Sequence, residues 1–189
     1  MDTAVTFFSL VKIPATIIHV ISVVIGMGAA LVSDILFTFF AKDKKLNMTE
    51  QKTLEILSRV VWVSLAIISI SGIVIFFSDP ARYMESSKFL AKISILIVLV
   101  VNGIVLNLSV WKHLLRPGFF TSKKESTFRK VAFTGGAISV ISWLSVCALG
   151  VLDSSPVGYK TLMIGYFCLI TVGVVCSLYV ESRKFEQKA

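Results

Sequence analysis

Two ionisable side chains stand inside the most apolar stretch of the chain, and their spacing puts both on one side of a helix. Residues 13–41 read IPATIIHVISVVIGMGAALVSDILFTFFA, longer than the roughly 20 residues that cross a bilayer core. With His19 as zero and 100° per residue, Ser22, Gly26, Ala30 and Ser33 fall within about 60° of it, and Asp34 lies at about 60°. An imidazole can ligate a metal or relay a proton, and a carboxylate can carry a proton or hold a cation. A charged group such as Asp costs about 2.5–3.5 kcal/mol at the centre of a membrane helix. This polar and small-residue seam must therefore face protein, with the Ile, Val, Leu and Phe of the other faces left for lipid.

Further polar groups recur in the later apolar stretches. Lys92 opens the third at a depth matching His19, one to two turns from the same end, so the two are expected to share a cavity. Arg59 begins the second stretch near the depth of Asp34. An Asp34–Arg59 ion pair would relieve both desolvation costs, either locking the two helices together or forming a gate or proton path. Asn102, Gly103 and Asn107 place two amides mid-membrane, where Asn commonly bonds across helices. Gly135, Ser139 and Ser142 make a second small-residue seam suited to close packing. Trp143 is near mid-span and its indole N–H needs a partner, whereas Trp62 and Trp111 read as interface or packing aromatics.

The elements that must position these groups follow from composition. The chain has 189 residues, 56% hydrophobic, with mean hydropathy +0.86, which excludes an ordinary soluble domain. We expect a single all-α domain of five transmembrane helices, at about 14–40, 54–78, 88–111, 131–152 and 158–180. Pro14 is expected to open the first, with residues 1–11 as an interfacial turn. Thr49 or a neighbour caps the second, with Glu50 in its first turn. The DPARYMESS stretch and residues 153–156 break the pattern, and the longest loop carries a Pro117-Gly118 turn. No cleavable signal peptide is expected, because no positive region precedes the first span.

Charge placement sets the expected topology. Lys42, Lys44, Lys45, Lys52, Arg59, Lys112, Arg116, Lys123, Lys124, Arg129, Lys130, Arg183, Lys184 and Lys188 fall on one side, fourteen of the 19 basic residues. By the positive-inside rule the N-terminus is outside and the C-terminus cytoplasmic, in the cell's inner membrane. The net charge of +8 is read as this asymmetry facing anionic lipid; no nucleic-acid motif accompanies it.

Several chemistries are disfavoured. There is no HExxH, Walker loop, GxSxG or CxxC, so no catalytic residue is assigned and no metal cluster is expected. Cys147, Cys168 and Cys176 read as small buried residues without disulfides. The two histidines lie at opposite ends of the bilayer, roughly 20–30 Å apart, too far to ligate one haem together. His113 reads as a surface residue of a basic loop.

The segments IIHVISVVIGMGAALVSDILF, SRVVWVSLAIISISGIVIF and FLAKISILIVLVVNGIVLN resemble the first three helices of the HemJ-type and CopD-like small bacterial membrane proteins. The matching features are His19 early in the first helix, Gly72 late in the second and Lys92 opening the third. The resemblance covers about half the chain. It implies a haem- or tetrapyrrole-associated redox protein, with haem b on His19 as axial ligand and Lys92 as its partner or a propionate contact; the CopD-like side implies copper handling, though no Met- or His-rich path is present. The residues also allow a small permease or ion-conducting protein using His19, Asp34, Arg59 and Asn102. A third reading is a structural subunit, with the lipid bilayer and either further copies or a larger membrane complex as partners.

Overall fold

The computed structural model describes residues 2–41, 46–114, 116, 118–152 and 157–185, with side chains from Phe7 onward except Ser9. The described chain is helical: α1 (Asp2–Phe40), α2 (Met48–Phe77), the short α3 (Pro80–Glu85), α4 (Ser87–Val105), a π-helical segment Leu106–Val110, α5 (Trp111–Leu114), a 3-10 turn Lys123–Glu125, α6 (Ser126–Val151) and α7 (Tyr159–Phe185). Five stretches, Leu10–Phe40, Met48–Phe77, Ser87–Leu114, Lys123–Val151 and Tyr159–Phe185, are long and apolar enough to cross a membrane. Their outward faces carry Ile17, Val24, Ile25, Ile35, Ile70, Ile97 and Val172, all largely exposed. A water-soluble surface does not tolerate so continuous an apolar exterior, whereas acyl chains do.

Helix ends depart from the sequence reading for local reasons. α1 does not begin at Pro14 but runs through it from Asp2, so residues 2–11 are helix rather than an interfacial turn. This extension is held by partners: Phe8 stacks on Phe77 with centroids 5.5 Å apart, and the Lys12 ammonium lies 5.9 Å from the Tyr83 ring centroid. α2 starts at Met48, six residues before the expected boundary. Asn47 rather than Thr49 is its N-cap: the Asn47 side chain accepts from the Glu50 N–H at 2.9 Å, and the Glu50 carboxylate accepts from the Asn47 N–H at 2.8 Å. This reciprocal pair satisfies two otherwise orphaned donors. The DPARYMESS break is itself a helical turn, α3, with Asp79 as cap and Pro80 at its first position. The expected loop of residues 42–45, Pro117, residues 153–156 and Lys188 lie outside the described residues.

The supposed connecting loop before α6 folds back into the bundle. Gly118 turns the chain with φ +88°, a value that suits a residue without a Cβ. Phe119 and Phe120 are then buried with Ala41, Leu54, Val110 and Leu114. Arg129, read as a loop charge, is buried. It donates to the Phe119 carbonyl at 2.9 Å and the Ser122 carbonyl at 2.8 Å, and its Nε faces Glu181 Oε1 at 3.4 Å. His113 is likewise no surface residue: its Nδ1 is 2.7 Å from Glu125 Oε2, and its ring stacks on Phe128 with centroids 3.3 Å apart.

Packing divides unequally. α1 lies along α2, while α6 packs on α4 and α7; α2 scarcely approaches α4. α7 is mostly exposed, and hydroxyl bonds hold it. Tyr166 donates to Ser142 Oγ at 2.7 Å, since that hydroxyl's own proton goes to the Ile138 carbonyl, and Ser177 donates to the Phe133 carbonyl at 2.6 Å. Cys147, Cys168 and Cys176 are free thiols, but Cys168 and Cys176 are exposed on α7 rather than buried. In a long apolar span, an outward position contacts lipid and needs no polar partner.

Candidate functional site

The seam on α1 faces other helices along its length. Ser22, Gly26, Ala29 and Ala30 are all buried. A Cβ added at Gly26 would stand 2.8 Å from both Ser64 Cβ and Trp143 Cη2, so the small residue is what lets α2 and α6 approach α1 here. One turn and more further on, a Cβ at Gly136 would stand 3.0 Å from Asp34 Oδ1. The absence of a side chain at 136 gives the carboxylate its room.

Around this seam lie two cavities. The first, of about 180 Å³, runs between α1, α2, α4 with its π-helical continuation, and α6; Asp34, Trp62, Asn102, Asn107, Trp111 and Trp143 line it, with Ser33, Ser58 and Ser139. The second, of about 290 Å³, lies between α1, α6 and α7, and Asp34, Phe37, Thr38, Gly136 and Ser177 are in its wall. Asp34, Phe37 and Ala132 belong to both, so the carboxylate stands at their junction. Among the described residues, neither cavity has a Lys, Arg or His in its lining.

Two groups at this place are incompletely satisfied. Among the described residues Asp34 Oδ2 and Trp143 Nε1 are buried without a hydrogen-bond partner, the Trp143 side chain being 1% exposed. Most buried polar atoms in proteins are paired, and an unpaired one costs about 1–3 kcal/mol, more when charged. An orphan acceptor and an orphan donor on one cavity wall mark a place for a guest. The π-helical segment adds to this: such bulges cluster at functional sites, and this one carries Asn107 into the lining.

The other sequence-identified residues separate into three fates. Asn102 joins the cavity and also bonds across helices, its Nδ2 donating to the Gly135 carbonyl at 2.8 Å. Arg59 does not pair with Asp34. It is solvent- or headgroup-facing at 76% side-chain exposure and bonds Glu55 one turn away at 2.5 Å. Local i,i+4 geometry on its own helix offered a partner without desolvation, so the cross-helix pair has no reason to form. Trp62 and Trp111 are cavity walls rather than interface aromatics; Trp62 reaches across to α4, where a Cβ at Gly103 would meet its Cζ2 at 3.3 Å.

His19 and Lys92 form a separate cluster toward the other end. His19 Nδ1 is 3.0 Å from Ser71 Oγ, whose proton is committed to the Ile67 carbonyl at 2.6 Å. The ring therefore donates from Nδ1 and keeps its lone pair on Nε2. Gly72 lies against the ring, with a Cβ there 3.6 Å from Cε1. Lys92 is an electrostatic neighbour of both His19 and Cys147, and the Cys147 thiol contacts Met27 Sδ at 3.4 Å. As a test of haem, this cluster supplies one imidazole with an available nitrogen, while His113 packs with Phe128 and Glu125 at the opposite end. Neither cavity includes His19 or Lys92. No group of three or more His, Cys, Asp or Glu able to hold a metal occurs among the described residues.

Comparison with known protein families, with curated proteins and with solved structures finds no match to this chain.

Proposed function

We propose that this is a multi-pass membrane protein that passes a proton or small cation through its interior by way of Asp34. The observation that carries the reading is the position of that carboxylate: it stands at the junction of two cavities, and among the described residues its Oδ2 has no partner and neither wall has a basic side chain. A lone carboxylate in a slot walled mostly by apolar side chains, with no basic group among the described residues, attracts positive charge and repels anions. Ionisable residues that face the interior of a membrane bundle commonly mark such pathways. In this reading the N-terminus lies outside and the C-terminus in the cytoplasm of a bacterial inner membrane, as the lysine and arginine distribution favours. The test is flux into liposomes carrying the purified protein. Asp34→Asn is expected to lower proton or small-cation flux at least tenfold, and flux unchanged by that substitution would overturn the proposal.

A second reading keeps His19 as a single axial ligand of haem b, with Lys92 touching a propionate. What favours it is the Nδ1–H bond to Ser71, which fixes the tautomer and leaves Nε2 for the iron, as the outer partners of ligating histidines do. Bound there, the group would supply one-electron chemistry. After expression with haem supplied, the purified protein should show a Soret band that His19→Ala removes; a wild type without the band ends this reading.

A further inference from the structure

We infer that the cation taken by the Asp34 cavity is a small organic ammonium, held between the carboxylate and indole faces. This rests on the reading of that cavity as a cation-handling site and names its substrate class. The chain has three tryptophans, and all three line this cavity. They are spaced along it: Trp111 beside Leu114 at the loop end, Trp62 alongside Gly103, and Trp143 against Gly26.

The negative face of an indole attracts a cation by about 0.5–2 kcal/mol, and quaternary ammonium ligands are recognised in this way. Three indoles in one lining offer a cation weak resting places besides the one strong site at Asp34, which suits entry and release as well as binding. Among the described residues Asp34 is the one carboxylate of the lining, a single negative charge that matches a monovalent ammonium and leaves half of a divalent ion's charge uncompensated in a buried site. The volume of about 180 Å³ is below the roughly 300–1,000 Å³ of drug-sized pockets, so the ligand is small. The orphan Trp143 N–H is 1% exposed and donates, so it suits a ligand carrying an acceptor such as a hydroxyl as well as its charge. A compact ammonium alcohol meets both needs.

The experiment is a titration of the full-length protein in nanodiscs, read by intrinsic tryptophan fluorescence and by calorimetry. The probes are choline, its uncharged isostere with carbon in place of nitrogen, and potassium chloride at equal ionic strength. Choline is expected to give a saturable response. The isostere should bind at least tenfold more weakly and potassium chloride should give no saturable change. Asp34→Asn should weaken choline at least tenfold and Trp62→Ala at least threefold, each variant first checked for native helicity and monodispersity. The comparison of choline with its isostere is made on the wild type, so it stands even if a variant does not fold. No saturable choline response, equal binding of the isostere, or an equal response to potassium overturns the inference. Asp34-dependent flux without choline binding removes the substrate class and leaves the proposed function. Choline binding without flux does the reverse.

Discussion

At the residue scale, small side chains decide where this bundle closes and where it stays open. Gly26 and Gly28 stand two positions apart on α1 with opposite surroundings. A methyl at 26 collides with Ser64 and Trp143, whereas a methyl at 28 meets nothing within 4 Å. Gly26→Ala should destabilise by about 1–3 kcal/mol through overpacking. Gly28→Ala should be neutral or stabilise by up to about 1 kcal/mol through helix propensity. Thermal unfolding in detergent separates the two, and equal effects would contradict the packing described. Arg59→Ala should change stability by no more than about 0.5 kcal/mol and leave flux unaltered, since among the described residues this exposed side chain pairs only with Glu55 one turn away on its own helix. The seam on α1 was legible in the sequence because His19, Gly26, Ala30 and Asp34 recur at helical spacing on one segment. That Asp34 stands without a basic partner among the described residues was not, because which charge meets which across two helices depends on rotation and tilt. For Arg59, the nearer Glu55 competes and wins.

At the element scale, α6 and α7 are tied by a buried ion pair that also anchors the turn before α6. Arg129 spends its donors on two carbonyls and on Glu181, and stacks over Phe185 at 5.1 Å. Removing one partner of such a pair strands the other charge: Arg129→Ala should cost about 3–5 kcal/mol, and replacing both residues with Met and Leu should restore much of it. Unfolding midpoints of the single and double variants give the answer; a double variant no better than the single would contradict the pairing. Nothing in the spacing of residues 129 and 181 announces this contact. The sequence places one in a basic loop and the other in a polar tail, and only the folding of both ends onto the bundle brings them together. The π-helical turn was equally invisible, since an extra residue in a helical turn leaves an apolar run looking continuous. The capping box Asn47–Glu50 was partly visible, because acidic Glu50 at the start of α2 follows a local rule.

At the scale of the whole molecule, hydropathy alone was enough for five spans, because a span is a property of consecutive residues and needs no tertiary information. A reporter fused to the C-terminus should be active in the cytoplasm and inactive when it requires export, if the lysine and arginine bias governs insertion; the opposite pattern would invert the topology. The convergence of all three tryptophans needed the fold, since they lie on three different helical segments. The loose approach of α2 to α4 has a mechanical consequence. α1 and α2 make one board of a book, α4, α6 and α7 the other, and the spine runs where Gly26 meets Trp143 and Gly136 meets Asp34. At the fore-edge, Trp62 touching Gly103 is a bookmark rather than a binding. That edge is the one the bundle itself scarcely closes, so parting it disrupts less packing than opening the spine would.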